Sequence, residues 1–316
     1  MKVLVTGGAG FIGSHLVDRL LAEGYEVVCL DNLTSGTTDN LKHALKHRNF
    51  RLIKGDIRRT RDVWKAVKDC DTVFHYAANP EVRIGIPRVH FENNILGTFI
   101  VLEAMRKYDV RNIVFASSST VYGDAKVMPT PENYTPLEPI SVYGASKLAC
   151  ESLISSYVHT YGLRGLSLRY ANIVGPRLRH GVIYDFIMKL KRNPRRLEIL
   201  GDGTQRKSYL YVTDAVDATI FLWRSVEKEY DVFNIGSEDS VSVMDIAKIV
   251  VDKMGLKNVE LYTTGGVDGG RGWKGDVKYM LLSVQKLRKL GWTPKHNSRE
   301  SVELTVTSLL EELETG

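Results

Sequence analysis

The chain has 316 residues, 43% of them apolar and 25% charged, with a formal net charge of +6. That length and composition supply one large hydrophobic core or two modest ones, and they exclude a disordered or collagen-like chain. No stretch approaches the run of about eighteen apolar residues that a membrane span needs. The start, Met1-Lys2-Val3-Leu4-Val5-Thr6, enters a strand without the layout of a signal peptide, so a cytoplasmic protein with no membrane contact is expected. The densest basic run, Lys189 to Arg196, has no interleaved aromatic residues, which argues against a nucleic-acid partner. Cys29, Cys70 and Cys150 are scattered and lack His partners at ligand spacing. They read as small buried hydrophobes, and neither a disulfide framework nor a metal site is expected.

Lys2 to Thr6 has the pattern of a buried strand and leads through Gly7-Gly8-Ala9-Gly10-Phe11-Ile12-Gly13 into an amphipathic helix that Gly24 stops. The spacing of Gly7, Gly10 and Gly13 lets backbone N–H groups approach a pyrophosphate at a helix N-terminus. A second strand, Glu26 to Leu30, ends in Asp31, where a carboxylate meets an adenosine ribose. That acid, with no arginine in Asn32-Leu33-Thr34-Ser35-Gly36, predicts NAD rather than NADP. Strands follow at Phe50 to Lys54, ending in Asp56-Ile57, and at Thr72 to His75, with a helix near Arg61 to Lys68 between them. His75 reads as a histidine satisfied locally at a strand end. In the helix expected over Val89 to Tyr108, Asn93 and Asn94 are poor helix formers, so one of them should bond a loop or cofactor.

Asn112 to Ser117 is the next strand and places Ser118 just past its C-terminal end, where ligands bind in open parallel sheets. A Pro-rich surface loop to Pro139 precedes a helix carrying Tyr143 and Lys147, four residues apart and so on one face. A phenol has a pKa of about 10, and a lysine beside it could help make it a base at neutral pH. Gly165 to Tyr170 is a further strand. Ser208 to Val212 and a helix from Asp214 to Val226 look like a return to the first sheet, closed by Val232 to Ile235. The alternation predicts a doubly wound parallel sheet of Rossmann type over residues 1–171 and 208–235. A smaller α/β substrate-binding cap is expected over 172–207 and 236–316, with a glycine-rich loop from Gly265 to Gly275.

The glycine turn, Asp31, Ser118 and Tyr143-x-x-x-Lys147, in that order, resemble an extended short-chain dehydrogenase/reductase over nearly the whole chain. Within that group Phe115 to Gly123, Arg169-Tyr170-Ala171-Asn172 and Gly201-Asp202-Gly203-Thr204-Gln205 look most like the UDP-glucose 4-epimerase family. The resemblance implies an NAD site at Gly7, Gly10, Phe11, Ile12, Gly13, Asp31, Asn32, Ser35, Gly36, Asp56, Ile57, Tyr76, Ala77, Ala78, Asn94, Ser117, Tyr143, Lys147 and Tyr170. It also implies that Ser118 bonds the sugar, that Tyr143 is the base and that Lys147 holds the nicotinamide ribose. Asn172, with Val182 nearby, would meet the substrate diphosphate, joined by Arg206 or Lys207 and by Arg271, while Asp276 would take the uridine ribose. A homodimer through the helices near Val89 to Tyr108 and Tyr143 to Tyr161 is implied as well.

The chain departs from the family pattern in places. Lys207-Ser208 stands where Arg-Asp is usual, Trp273 where an arginine is expected, and Pro80 where some epimerases have lysine. Ser119-Thr120 occupies the place of the Asp-Glu pair with which related dehydratases eliminate water. The expected activity is therefore interconversion of UDP-glucose and UDP-galactose through a 4-keto sugar, with NAD as a transient hydride store. A 4-epimerase of UDP-glucuronate or UDP-N-acetylglucosamine is the alternative, and a non-catalytic NAD-binding regulator is the third reading. Met280 aligns with the position that gates N-acetylated sugars.

Overall fold

A computed structural model describes residues 1–83 and 86–315. The strands β1 (Lys2–Thr6), β2 (Glu26–Asp31), β3 (Phe50–Lys54), β4 (Thr72–His75), β5 (Asn112–Ser118) and β6 (Arg164–Tyr170) alternate with helices. These helices are α1 (Phe11–Ala22), α2 (Thr60–Val67), α3 (Pro87–His90), α4 (Gly97–Lys107) and α5 (Val142–Tyr161). After β7 (Asn172–Val174) and α6 (Val182–Arg192) come β8 (Arg196–Ile199), β9 (Arg206–Lys207), β10 (Tyr209–Tyr211), α7 (Val212–Ser225) and β11 (Tyr230–Ile235). The remainder holds β12 (Val241–Ser242), α8 (Val243–Lys253), β13 (Glu260–Thr263), β14 (Tyr279–Met280), α9 (Gln285–Lys289) and α10 (Ser298–Thr315).

A seven-stranded parallel sheet runs in the order β11-β6-β5-β4-β1-β2-β3. The order reverses on either side of β1 and β4, which is the doubly wound arrangement that places ligands at the C-terminal strand ends. β1 and β4 are buried along nearly their whole length because both faces of such a sheet are covered. Leu4, Val28, Val73, Ile113 and Phe115 of the sheet pack with Met105, Cys150 and Ile154 in one core.

Contacts divide the chain into two compact units. The first comprises Met1–Val121, Val142–Arg169 and Ala218–Phe233, and the second Tyr122–Ser141, Tyr170–Asp217 and Asn234–Gly316. Within the second, the Pro-rich stretch is the expected, mostly exposed loop, pinned at one point. Thr130 is buried, its N–H donates to Leu281 O at 2.9 Å, and its carbonyl accepts from Ser283 N at 2.9 Å.

The expected return of Ser208 to Val212 to the first sheet is not what forms. Tyr209–Tyr211 pairs in parallel with Asn172–Val174 as a separate two-stranded sheet, and α7 with β11 makes the return instead. The apolar run fits either partner, and proximity to β7 decides. The single helix expected over Val89 to Tyr108 is composite, because Phe91–Leu96 winds as π-helix between α3 and α4. No described helix is long and apolar enough to cross a membrane.

Candidate active site

The glycine turn folds tightly enough that side chains are excluded. A Cβ on Gly7, where φ is +69°, would lie 2.6 Å from Ala77 N, and one on Gly13 would lie 2.2 Å from Gly7 O. α1 follows Gly10 at its N-cap, with no side-chain cap and no acid in its first turn, so Phe11, Ile12 and Gly13 open the helix at an end suited to a pyrophosphate. Asp31 closes β2 with its carboxylate accepting from Ala9 N at 2.9 Å and Leu33 N at 2.8 Å, and burial pushes its pKa up. Gly36 packs against Ala9, where a Cβ would meet the backbone at 2.6 Å, and Ser35 beside it is exposed.

Asn32 donates to Asp56 at 3.2 Å, and the Arg58 guanidinium beside Asp56 holds that carboxyl down at about 2. Ile57 is buried in the core. Tyr76, Ala77 and Ala78 follow β4; Ala77 N donates to Thr6 Oγ1 at 3.2 Å, and the Tyr76 hydroxyl bonds Thr219 Oγ1 at 3.3 Å. Asn94 lies in the π segment, where it accepts from Asn79 N at 2.7 Å and donates to Ser146 Oγ at 2.8 Å. The expected asparagine-to-loop bond is therefore Asn94's, while Asn93 bonds Val89 O of its own helix. The uncapped helix, the crowded glycines and the strand-end carboxylate suit a dinucleotide.

His75 is satisfied by Thr6 Oγ1 at 2.7 Å and Thr98 Oγ1 at 2.9 Å. Burial, with help from the Lys147 charge, pushes its pKa down to about 3, so it stays neutral.

Ser118 is the last residue of β5 rather than the first beyond it. Its hydroxyl accepts from Thr120 Oγ1 at 2.9 Å and from Thr120 N at 3.2 Å. Lys147 Nζ lies 5.7 Å from the centre of the Tyr143 ring and donates to Ala116 O at 2.7 Å. In the protein without its cofactor the phenol is not made more acidic. Burial dominates and pushes the Tyr143 pKa up to about 12, against the lowering effect of Ser118. Lys147, also buried, is pushed down to about 8. Ser117 turns its hydroxyl to Glu151 at 2.5 Å, and Glu151 is paired with Arg169 at 2.7 Å. Neither Glu151 nor Arg169 figured in the sequence-based site, although Tyr143-x-x-x-Lys147-x-x-x-Glu151 repeats the same helical spacing.

The remaining candidates lie in the second unit. Tyr170 is buried there at the end of β6, and Asn172 carries a buried side-chain amide nitrogen with no hydrogen-bond partner. Val182 opens α6. Arg206 and Lys207 alternate across β9 and so part company. Arg206 is exposed and donates to Ser240 O at 2.8 Å, while Lys207 pairs with buried Asp276 at 2.7 Å, 5.5 Å from the centre of the Trp273 ring. Arg271 grips Asp124 through both terminal nitrogens, at 3.0 and 2.8 Å, and also bonds Asp276 O. Asp276 further accepts from Gly272 N at 3.1 Å.

The sheet, the glycine turn and the Ser118, Tyr143 and Lys147 trio define an enzyme of the extended short-chain dehydrogenase/reductase class. Residues 3–236 match the model of the NAD dependent epimerase/dehydratase family. The chain belongs to that family, and NAD is its cofactor. A crystal structure of a UDP-galactose 4-epimerase is 50% identical, with a TM-score of 0.89 over 99% of this chain and 100% of that one. The UDP-glucose 4-epimerase of Thermus thermophilus, crystallised with NAD, is 35% identical with a TM-score of 0.86 over 98% of this chain and 99% of its own. The dTDP-D-glucose 4,6-dehydratase of Mus musculus is 33% identical over 96% of this chain and 87% of its own.

Proposed function

We propose that the protein is a UDP-hexose 4-epimerase that interconverts UDP-glucose and UDP-galactose. The observation that carries this reading is the poverty of acid–base groups at the strand end. Ser117, Ser118, Ser119 and Thr120 contain no carboxylate, and among the described residues the acid bonded to them, Glu151, is committed to Ser117 and Arg169. Eliminating water from a 4-keto sugar takes an acid and a base beyond the group that serves the oxidation. A strand end without a free carboxylate beside Tyr143 suits a reversible oxidation and its reversal.

NAD supplies the oxidising and reducing equivalents when bound. The chain's own part is proton handling and orientation. Tyr143 takes the proton of the C4 hydroxyl and later returns it, Ser118 bonds that oxygen, and the Lys147 ammonium favours the phenolate. A phenol standing at about 12 needs the whole positive environment of the filled site before it works near neutrality. For the nucleotide, the unpartnered Asn172 amide and the Lys207 and Arg271 cations fit phosphate oxygens, and Asp276 can accept from a ribose hydroxyl. Val182 would add an apolar wall, and Arg206 stands outside the group.

The test is incubation of the purified protein with UDP-glucose, UDP-N-acetylglucosamine and UDP-glucuronate, no NAD added, followed by resolution of the 4-epimers. Conversion of UDP-glucose to UDP-galactose is expected. Turnover of the uronate alone would replace the hexose reading, and loss of water from any of the three would end the epimerase one.

A further inference from the structure

Tyr143, Lys147 and Glu151 lie four residues apart on α5, and each meets one of three consecutive residues at the end of β5. Ser118 favours the ionised form of the Tyr143 phenol, Lys147 Nζ donates to Ala116 O at 2.7 Å, and Glu151 Oε1 accepts from Ser117 Oγ at 2.5 Å. The proposed chemistry uses the first two rungs and leaves the third without a task. Glu151 is buried, and so is its partner; Arg169 reaches it with Nη2 at 2.7 Å and Nε at 3.0 Å. Buried pairs of this kind seldom add net stability over apolar residues of the same volume. Their position is more telling, and this carboxylate sits one helical turn beyond the lysine.

The surroundings of Lys147 make that position consequential. Along α5 it faces Tyr143, Cys150 and Glu151. From β4 it faces His75, which is neutral, and from β5 the Phe115 ring, 4.8 Å from Nζ, and the Ala116 carbonyl. The π segment contributes only the uncharged Asn94, through Ser146 and Cys150. Glu151 is thus the one carboxylate bearing on the ammonium among these groups. Burial drives Lys147 towards the amine, and Cys150 and then Glu151 oppose that drift; of the two, only Glu151 is a carboxylate, held one helical turn away by Ser117 and Arg169.

We propose that Glu151, oriented by Arg169, is a positioning residue that pins the end of β5 to α5 and keeps Lys147 in its charged form. Its functional meaning rests on the reading of Tyr143 and Lys147 as the proton-handling pair, but the charge state can be measured without turnover. The experiment is an NMR titration of the full-length, NAD-free protein carrying 13Cε-labelled lysine, with the Lys147 signal assigned by its absence in Lys147→Met. In Glu151→Gln the Lys147 midpoint should fall by about one pH unit or more, a tenfold loss of ammonium relative to amine at a given pH.

Glu151→Gln leaves the Arg169 charge uncompensated, which could itself move the midpoint or unfold the chain. The Glu151→Gln/Arg169→Met double variant therefore decides. A lowered midpoint there supports the assignment, and an unmoved midpoint in the folded double variant overturns it. Sugar-nucleotide turnover followed in parallel separates the two readings. A wild-type protein without epimerase activity sinks the function but not the charge control, whereas a static midpoint with full activity sinks the charge control alone.

Discussion

Lys147 holds an ammonium group where water barely reaches, and the protein is less stable for it. Its pKa falls from the ordinary 10.5 to about 8 through burial. The unfolded chain therefore binds more protons than the native one between those values, and stability contributed by this group rises with pH across that window. Below about pH 8 the full penalty applies. Lys147→Met should accordingly raise the melting temperature of the NAD-free protein at pH 7. The gain should shrink as pH climbs from 8 towards 10.5, and chemical denaturation at several pH values would show it. Catalysis should move the other way. Tyr143→Phe should lower kcat by about 10²- to 10⁴-fold, the usual share of a positioned acid–base group, with little change in nucleotide affinity. The spacing of Tyr143 and Lys147 was legible in the sequence because helical periodicity fixes which side chains share a face. The direction of the Tyr143 shift was not, since burial depends on everything that packs over the phenol.

Among elements, the glycine turn gives a sharp prediction. Alanine inside a helix ordinarily improves on glycine by about 1 kcal/mol. At Gly13 the sign reverses, because the new Cβ would stand 2.2 Å from the Gly7 carbonyl oxygen. Gly13→Ala should lower the melting temperature and release NAD from the purified protein, read as free dinucleotide after gel filtration. β9 gives another. Alternation puts Lys207 against Asp276 and sends Arg206 to the exposed face. Lys207→Met should weaken UDP binding by about tenfold, the scale of one charge-assisted hydrogen bond, whereas Arg206→Met should change it by less than about twofold. Calorimetric titration with UDP separates the two. Which cation faces Asp276 was open in the sequence because alternation cannot be assigned to a two-residue strand before its partners β12 and β14 are known. Of the first four strands, β1, β3 and β4 were legible to the residue and β2 to within one, since each is a short extended run closed by a turn signal. Tyr209–Tyr211 was not, because a three-residue strand takes its sheet from a partner over thirty positions away. The π turn at Phe91–Leu96 likewise leaves no periodicity to detect.

For the molecule as a whole, the apolar groups left outside are informative. Phe91 is 56% exposed, Phe99 42% and Tyr161 53%, and all belong to the helical segments 87–107 and α5 of the first unit. Large aromatic side chains gathered on packed helices mark a surface for association. A homodimer formed through these helices is the proposal. Light scattering after size exclusion should give twice the 35.5 kDa chain mass. Phe99→Glu should return the mass to that of a single chain, and a wild-type monomer at micromolar concentration would exclude the interface.

The three cysteines have a use beyond filling space. Cys29, Cys70 and Cys150 are buried and free, and burial pushes their thiols up, Cys70 to about 12. Thiolates are the reactive form, so folded protein should be nearly inert to alkylating reagents. All three lie in the first unit and none in the second. The chain thus carries a built-in stopwatch for one half of itself. The rate at which a maleimide consumes these thiols records how often the dinucleotide-binding unit opens, and it is silent on the fraying of the other.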